Sequence, residues 1–374
     1  MKTDENTQIQ PKKKRIFRAL LTVFCALFAA QFLLHPIVTM IVYESIFSMR
    51  FEPVDWMEFS TSEFENLTVE RSDFQTENGE FLAGFCYAKT SENETLSDMQ
   101  SAPKGVVVFA HGLGCGGHNF YLPFIDYFTD HGYLAFAYDA TGNGESGGEN
   151  VIGLPQAVVD LDYALRHIKT VAAYQNLPVV LFGHSWGGYA AGSVLNFHKD
   201  IQAVALLAAF NESEDQLLYQ SMAYVGGFAK FGMPFVTLHE RVKFGKKYTD
   251  ATVVNGLKNS DAAAVIAHSQ DDPTVPPDQG YGKLLKAFQN NERFQFISFE
   301  DKGHERLLFS DAALSYRDEI EENYEAFVAE NGGKPSAQLK REYMLNHLDK
   351  KRCFQPNGAL MQTILTLYDS RCIS

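Results

Sequence analysis

Cysteine is scarce in this chain of 374 residues, and five are too few to serve as a disulfide scaffold. Cys353 and Cys372 flank the C-terminal segment and could pair if that region faces an oxidising compartment. No cysteine–histidine group has the spacing of a zinc site, and neither metal nor organic cofactor is expected. Basic charge is short as well. Lys and Arg number 32 against 46 Asp and Glu, and a net charge of −14 argues against a nucleic-acid partner. No Gly-Lys-Ser/Thr follows the glycine runs, and Gly142-Asn143-Gly144 is not a dinucleotide fingerprint. No internal repeat is evident, and nothing in the sequence fixes an oligomeric state.

One local absence matters more. From Ala19 to Tyr43 there is no Asp, Glu, Lys or Arg. About 20 apolar residues cross a bilayer, so this stretch is long enough despite Gln31 and His35-Pro36. Lys12, Lys13, Lys14 and Arg15 precede it, and Glu44, Glu52, Asp55 and Glu58 follow. The positive-inside rule then makes residues 1–15 a cytoplasmic basic tail and 16–47 a single-pass anchor in the cell membrane. The domain beyond it is placed outside the cytoplasm. Ala26, Ala29 and Ala30 lack the spacing of a signal-peptidase site, which favours an uncleaved anchor over a signal peptide. A buried core helix would have little to pack against if the following domain is complete without it. Asn66, Asn93 and Asn211 match the glycosylation pattern.

The strongest positive signal is Gly183-His184-Ser185-Trp186-Gly187. Leu177–Phe182 before it is a short apolar run typical of a buried parallel strand, and small residues follow it. A sharp strand-to-helix turn strains its central residue and needs flanks without bulk, so Ser185 reads as an exposed nucleophile. A serine needs a base, and the base an orienting acid. Ala262–Ala267 and Phe294–Phe299 read as two more strands. They lead into Asp271-Asp272-Pro273-Thr274-Val275-Pro276 and Gly303-His304. Both loops fall on the carboxyl edge of a parallel sheet, where ligands bind in open α/β folds.

These motifs resemble those of the α/β-hydrolase superfamily, most closely the serine aminopeptidase and monoacylglycerol-lipase-like group. Phe109-Ala110-His111-Gly112-Leu113-Gly114 is similar to its His-Gly loop, and Tyr138–Ser146 to its Asp-x-Arg-Gly-x-Gly-x-Ser turn, with Thr141 in the arginine's place. The resemblance covers about residues 65–330. It implies a triad of Ser185, Asp272 and His304, with Asp271 one residue off the spacing. It implies an oxyanion hole from the N–H groups of Trp186 and Leu113. The family usually gives His111 and His184 packing or hydrogen-bonding duties. His111 and Gly112 are nonetheless expected to border the substrate.

The expected fold is α/β, a mostly parallel sheet with helices on both faces, over residues 60–330. Alternating runs place strands at 64–69 and 81–87 as an antiparallel pair, then at 106–110, 133–138 and 203–208. Helices are expected at 120–130, 154–171, 278–288 and 311–329, and a polar loop at 91–103. Residues 331–374 form an extension without an assigned role. The segment of about 210–260 interrupts the pattern and reads as a helical cap. Its Phe231 and Phe235 are expected to roof an apolar acyl site. The reading is a membrane-anchored serine hydrolase acting on an apolar or acylglycerol-like ester. The alternatives are an aminopeptidase using Glu212, Glu214 and Asp215, and a catalytically silent receptor.

Overall fold

The computed structural model describes residues 10–77, 79–90 and 102–373. Residues 1–9 of the basic tail, and most of the loop expected at 91–103 with Asn93, lie outside them.

Five consecutive apolar strands build the centre. These are β5 (Val106–Ala110), β6 (Leu134–Tyr138), β7 (Val179–His184), β8 (Ile201–Leu207) and β9 (Ala263–Ser269). They are almost wholly buried, as strands covered on both faces must be. With β1 (Leu67–Arg71), β4 (Gly84–Lys89) and β10 (Phe294–Phe299) they form an eight-stranded sheet in the order β1-β4-β6-β5-β7-β8-β9-β10. Only β4 pairs antiparallel, with β1 and with β6; the other pairings are parallel. The expected first pair is present in shifted form, because the short β2 (Phe74–Gln75) and β3 (Phe81–Leu82) make a hairpin of their own.

Alternate strand residues feed two apolar layers. Helices α2 (Leu122–Asp130) and α10 (Asp311–Glu330) cover one face. Helices α3 (Gln156–Ile168), α4 (Trp186–Ser193), α8 (Val253–Lys258) and α9 (Tyr281–Phe288) cover the other. The C-terminal segment, left without a role in the sequence, belongs to this body. After α11 (Ala337–His347) and α12 (Lys350–Cys353), α13 (Gly358–Cys372) buries Leu360, Met361, Ile364, Leu365 and Tyr368 in the α2–α10 layer. The Tyr368 hydroxyl donates to the Leu181 carbonyl of β7 at 2.6 Å. The domain therefore runs past 330 to the end of α13. Cys353, the last residue of α12, and Cys372, the last of α13, are free thiols.

Between β8 and α8 the chain leaves the sheet as α5 (Ser213–Val225), α6 (Ala229–Phe244) and α7 (Lys246–Thr249). This is the cap, narrower than the expected 210–260 because α8 seats Val253 and Gly256 against Gly192 of α4. The N-terminal helix α1 (Gln10–Ile46) is long and apolar enough to cross a membrane, and its most apolar window is unburied. Its last turns do find a partner, contrary to expectation. Tyr43 and Phe47 are buried, and the Tyr43 hydroxyl donates to Glu240 of α6 at 2.9 Å. His35 meets Phe235, and Glu44 accepts from His239 and Lys243. The chain then stitches directly into the domain. Phe51 exchanges backbone bonds with Gly142 and Gly144, and Val151 N–H donates to Met49.

Candidate active site

Ser185 sits between β7 and α4 at φ 56° and ψ −115°. That conformation is uncommon for a residue with a Cβ and marks a strained turn. Its neighbours show why they are glycine. A Cβ on Gly187 would lie 1.9 Å from the Ala110 carbonyl oxygen, and one on Gly183 2.5 Å from that of Gly187. The serine N–H donates to the Leu207 carbonyl at 2.8 Å, and the serine carbonyl accepts from Tyr189 N–H at 3.0 Å. The backbone thereby fixes where the Ser185 side chain leaves the turn.

His304 and Asp272 complete a relay across the carboxyl edge of the sheet. His304 Nε2 lies 2.8 Å from Ser185 Oγ, and His304 Nδ1 lies 2.7 Å from Asp272 Oδ2. Asp272 is buried, and its Oδ1 accepts from the N–H groups of Thr274 and Val275, both at 2.9 Å. An acceptor-only carboxylate held by two amides leaves its second oxygen to orient the imidazole. Asp271, the rejected neighbour, does something else. Its Oδ1 accepts from Ser269 Oγ at 2.6 Å and from Gly303 N–H at 2.8 Å. These bonds hold its carboxyl below the usual range. It fastens the loop that carries His304.

A second node joins the two sides of the site. The Tyr121 hydroxyl, fully buried, accepts from Gly112 N–H at 3.0 Å and stands 3.0 Å from His184 Nδ1. His184 Nε2 in turn lies 3.3 Å from the His304 carbonyl oxygen. Burial pushes the His184 pKa down to about 3, so the imidazole stays neutral. A neutral ring satisfies both contacts by accepting from Tyr121 at Nδ1 and donating from Nε2 to His304. The sequence offered no signal for Tyr121, which has no motif spacing of its own.

The structure relocates three of the residues expected to touch substrate. His111 is buried, with Nε2 accepting from Ala140 N–H at 2.9 Å and Nδ1 facing the Gly112 carbonyl at 2.9 Å. Both ring nitrogens are spent on the scaffold, so it ties the His-Gly loop to the turn after β6. Phe231 is 67% exposed on the outer side of α6, and Phe235 lies against His35 of α1. A helix face cannot be chosen without knowing its partner, and α1 is the partner the sequence did not reveal. Gly112 stays in the loop, its N–H taken by Tyr121. Leu113 and Trp186 are placed where β5 and β7 give way to loop and helix, with Trp186 the first residue of α4. The Trp186 indole is buried and donates to the Leu154 carbonyl.

Residues 101–264 match the family model described as serine aminopeptidase, S33. An esterase from Pyrococcus furiosus superposes with a TM-score of 0.51 at 16% identity, covering 76% of this chain and 98% of that one. The fold is thus that of the α/β-hydrolases. Caffeoylshikimate esterase of Arabidopsis thaliana is 28% identical over 120 residues, 32% of this chain and 33% of the relative. Monoglyceride lipase of Rattus norvegicus is 35% identical over 89 residues, 23% of this chain and 28% of the relative. The chain thus matches about a third of the length of these curated relatives. Among the described residues no group of His, Cys, Asp and Glu is arranged to hold a metal ion.

Proposed function

We propose that this hydrolase cleaves a carboxylic ester of an apolar, acylglycerol-like substrate through an acyl-enzyme on Ser185, anchored to the cell membrane by α1. The observation that carries the reading is the relay from Ser185 Oγ to His304 Nε2 at 2.8 Å and from His304 Nδ1 to Asp272 at 2.7 Å. In the proposed reaction His304 takes the hydroxyl proton as Oγ attacks the carbonyl carbon. The N–H groups of Trp186 and Leu113 receive the oxyanion, each donor contributing about 3 kcal/mol. Collapse releases the alcohol, protonated by His304. Water then attacks the acyl-enzyme with His304 again as base, which regenerates the serine and releases the acid. Water is the one co-reactant of this cycle.

The peptide alternative needs an unpaired acidic patch for a substrate amine. Glu212 and Asp215 are both paired with Lys283, and Glu214 accepts from Thr237. That pairing favours the ester. A fluorophosphonate probe tests the nucleophile. Labelling of the wild type and not of Ser185→Ala supports the reading, and an unlabelled wild type leaves a receptor in its place. Cleavage of aminoacyl anilides in preference to monoacylglycerol would replace the ester with the peptide.

A further inference from the structure

The cap helix α6 runs alongside α1 in the same direction. His35 meets Phe235, and His35 and Thr39 both flank Gly232, whereas Tyr43 is level with His239 and Glu240. Glu44 is bridged to His239 and Lys243. Depth along one helix is therefore depth along the other. Counted from Arg18, the last cation before the uncharged stretch, about 20 helical residues cross a hydrocarbon core. His35 then lies inside that core, and Glu44 with its two cationic partners lies at the headgroup layer. The tip that joins α5 to α6 sits about one helical turn deeper than Gly232.

The chemistry of the tip fits that depth. Tyr224 is 88% exposed, Val225 55%, Phe228 77% and Phe231 67%. Between Ser221 and Leu238 the only charged side chain is Lys230, whose long stem can carry its ammonium up to the headgroups. Exposed apolar side chains clustered at one tip mark an interaction surface. It lies at the start of α6, the helix that packs on α1, whose most apolar window is unburied.

We infer that the α5–α6 tip is immersed in the outer leaflet beside α1, so that the cap samples acyl chains within the lipid and its occupant is the bilayer itself. This rests on the anchor reading of α1. The test uses the full chain in phosphatidylcholine vesicles, in a Cys25→Ser background. An environment-sensitive fluorophore is attached at Phe228→Cys or at Lys246→Cys and compared with the background alone. Spin-labelled acyl chains should quench the label at 228 and spare the one at 246. Flotation with the vesicles combined with a water-accessible 228 label overturns this inference and leaves the anchor standing. Failure to float removes both. Shielding of the 228 label that persists without lipid and grows with protein concentration would assign the surface to a second copy instead. As a functional arm, Phe228→Glu should lower turnover of a vesicle-borne ester about tenfold, the factor one buried phenyl ring contributes. Turnover of a soluble acetyl ester should not change. An equal loss on both substrates would overturn the inference.

Discussion

Glu240 makes the seam between α1 and the cap sensitive to pH. Its carboxyl is buried and accepts from Tyr43 at 2.9 Å and from Ser213 at 2.8 Å. Burial pushes its pKa up from 4.5 to about 7, outweighing those two bonds. The sign follows from which state holds the proton. Below 4.5 the carboxyl is protonated whether the chain is folded or not, and it costs nothing. As pH rises from 4.5 to 7 the unfolded chain releases the proton while the folded chain keeps it, so folding weakens. Above 7 the loss is complete, about 3 kcal/mol at 1.36 kcal/mol per unit. Other groups titrate in the same window. Burial raises Asp160 to about 6, which adds loss in the same direction, and lowers His184 to about 3, which opposes it. Only the difference between wild type and Glu240→Gln isolates the residue. Thermal melts of detergent-solubilised protein from pH 4.5 to 8 should show the wild type losing about 5 °C relative to that variant. Parallel profiles for the two would refute the reasoning.

Asp272→Asn should cost about 10⁴ in kcat/KM if this triad behaves as the serine-protease triad does. Asp271→Asn, which weakens the Ser269 and Gly303 contacts and leaves the relay itself intact, should cost roughly tenfold. Steady-state kinetics on one ester decide between them, and a larger loss at Asp271 would exchange their roles. Tyr121→Phe leaves the buried Gly112 N–H without an acceptor, so stability should fall by about 1–3 kcal/mol in denaturant titration. Its kcat should drop more than its KM rises, because the His-Gly loop loses its partner and His184, which faces the His304 carbonyl, loses the bond that orients its ring. Gly187→Ala drives a methyl into the Ala110 carbonyl and should prevent soluble expression, whereas Gly227→Ala, with nothing within 4 Å, should be tolerated.

The nucleophile turn, the order of the three relay residues and the buried strands were legible because each has a local cause. A strained turn demands glycines, and a doubly covered strand demands an unbroken apolar run. The preference for Asp272 over Asp271 came from the family resemblance, and the two residues make different contacts, Asp272 with the His304 imidazole and Asp271 with the Gly303 N–H. Tyr121 was not legible, because its partners Gly112 and His184 come together only through the pairing of β5 with β7. The orientation of α6 was hidden for the same kind of reason. Its apolar residues are spread around the helix, and only the docked α1 decides which of them point inward. The helix α13 carried readable apolar positions, but its site on the sheet depends on a face left open by α2 and α10.

The stitching of Met49 and Phe51 into the turn at 142–151 leaves the chain almost no slack between α1 and the domain. A flexible tether lets an enzyme tumble and search a volume. Here the fastening fixes height and azimuth together, so the mouth of the site would face one direction at one distance from the bilayer. Anchored as proposed, such a molecule would work like a stylus on a rigid arm. Under the proposed anchoring its reach would be set by geometry rather than by diffusion of the domain, and lengthening the chain between Ile46 and Arg50 would change what it can touch without altering any group of the relay.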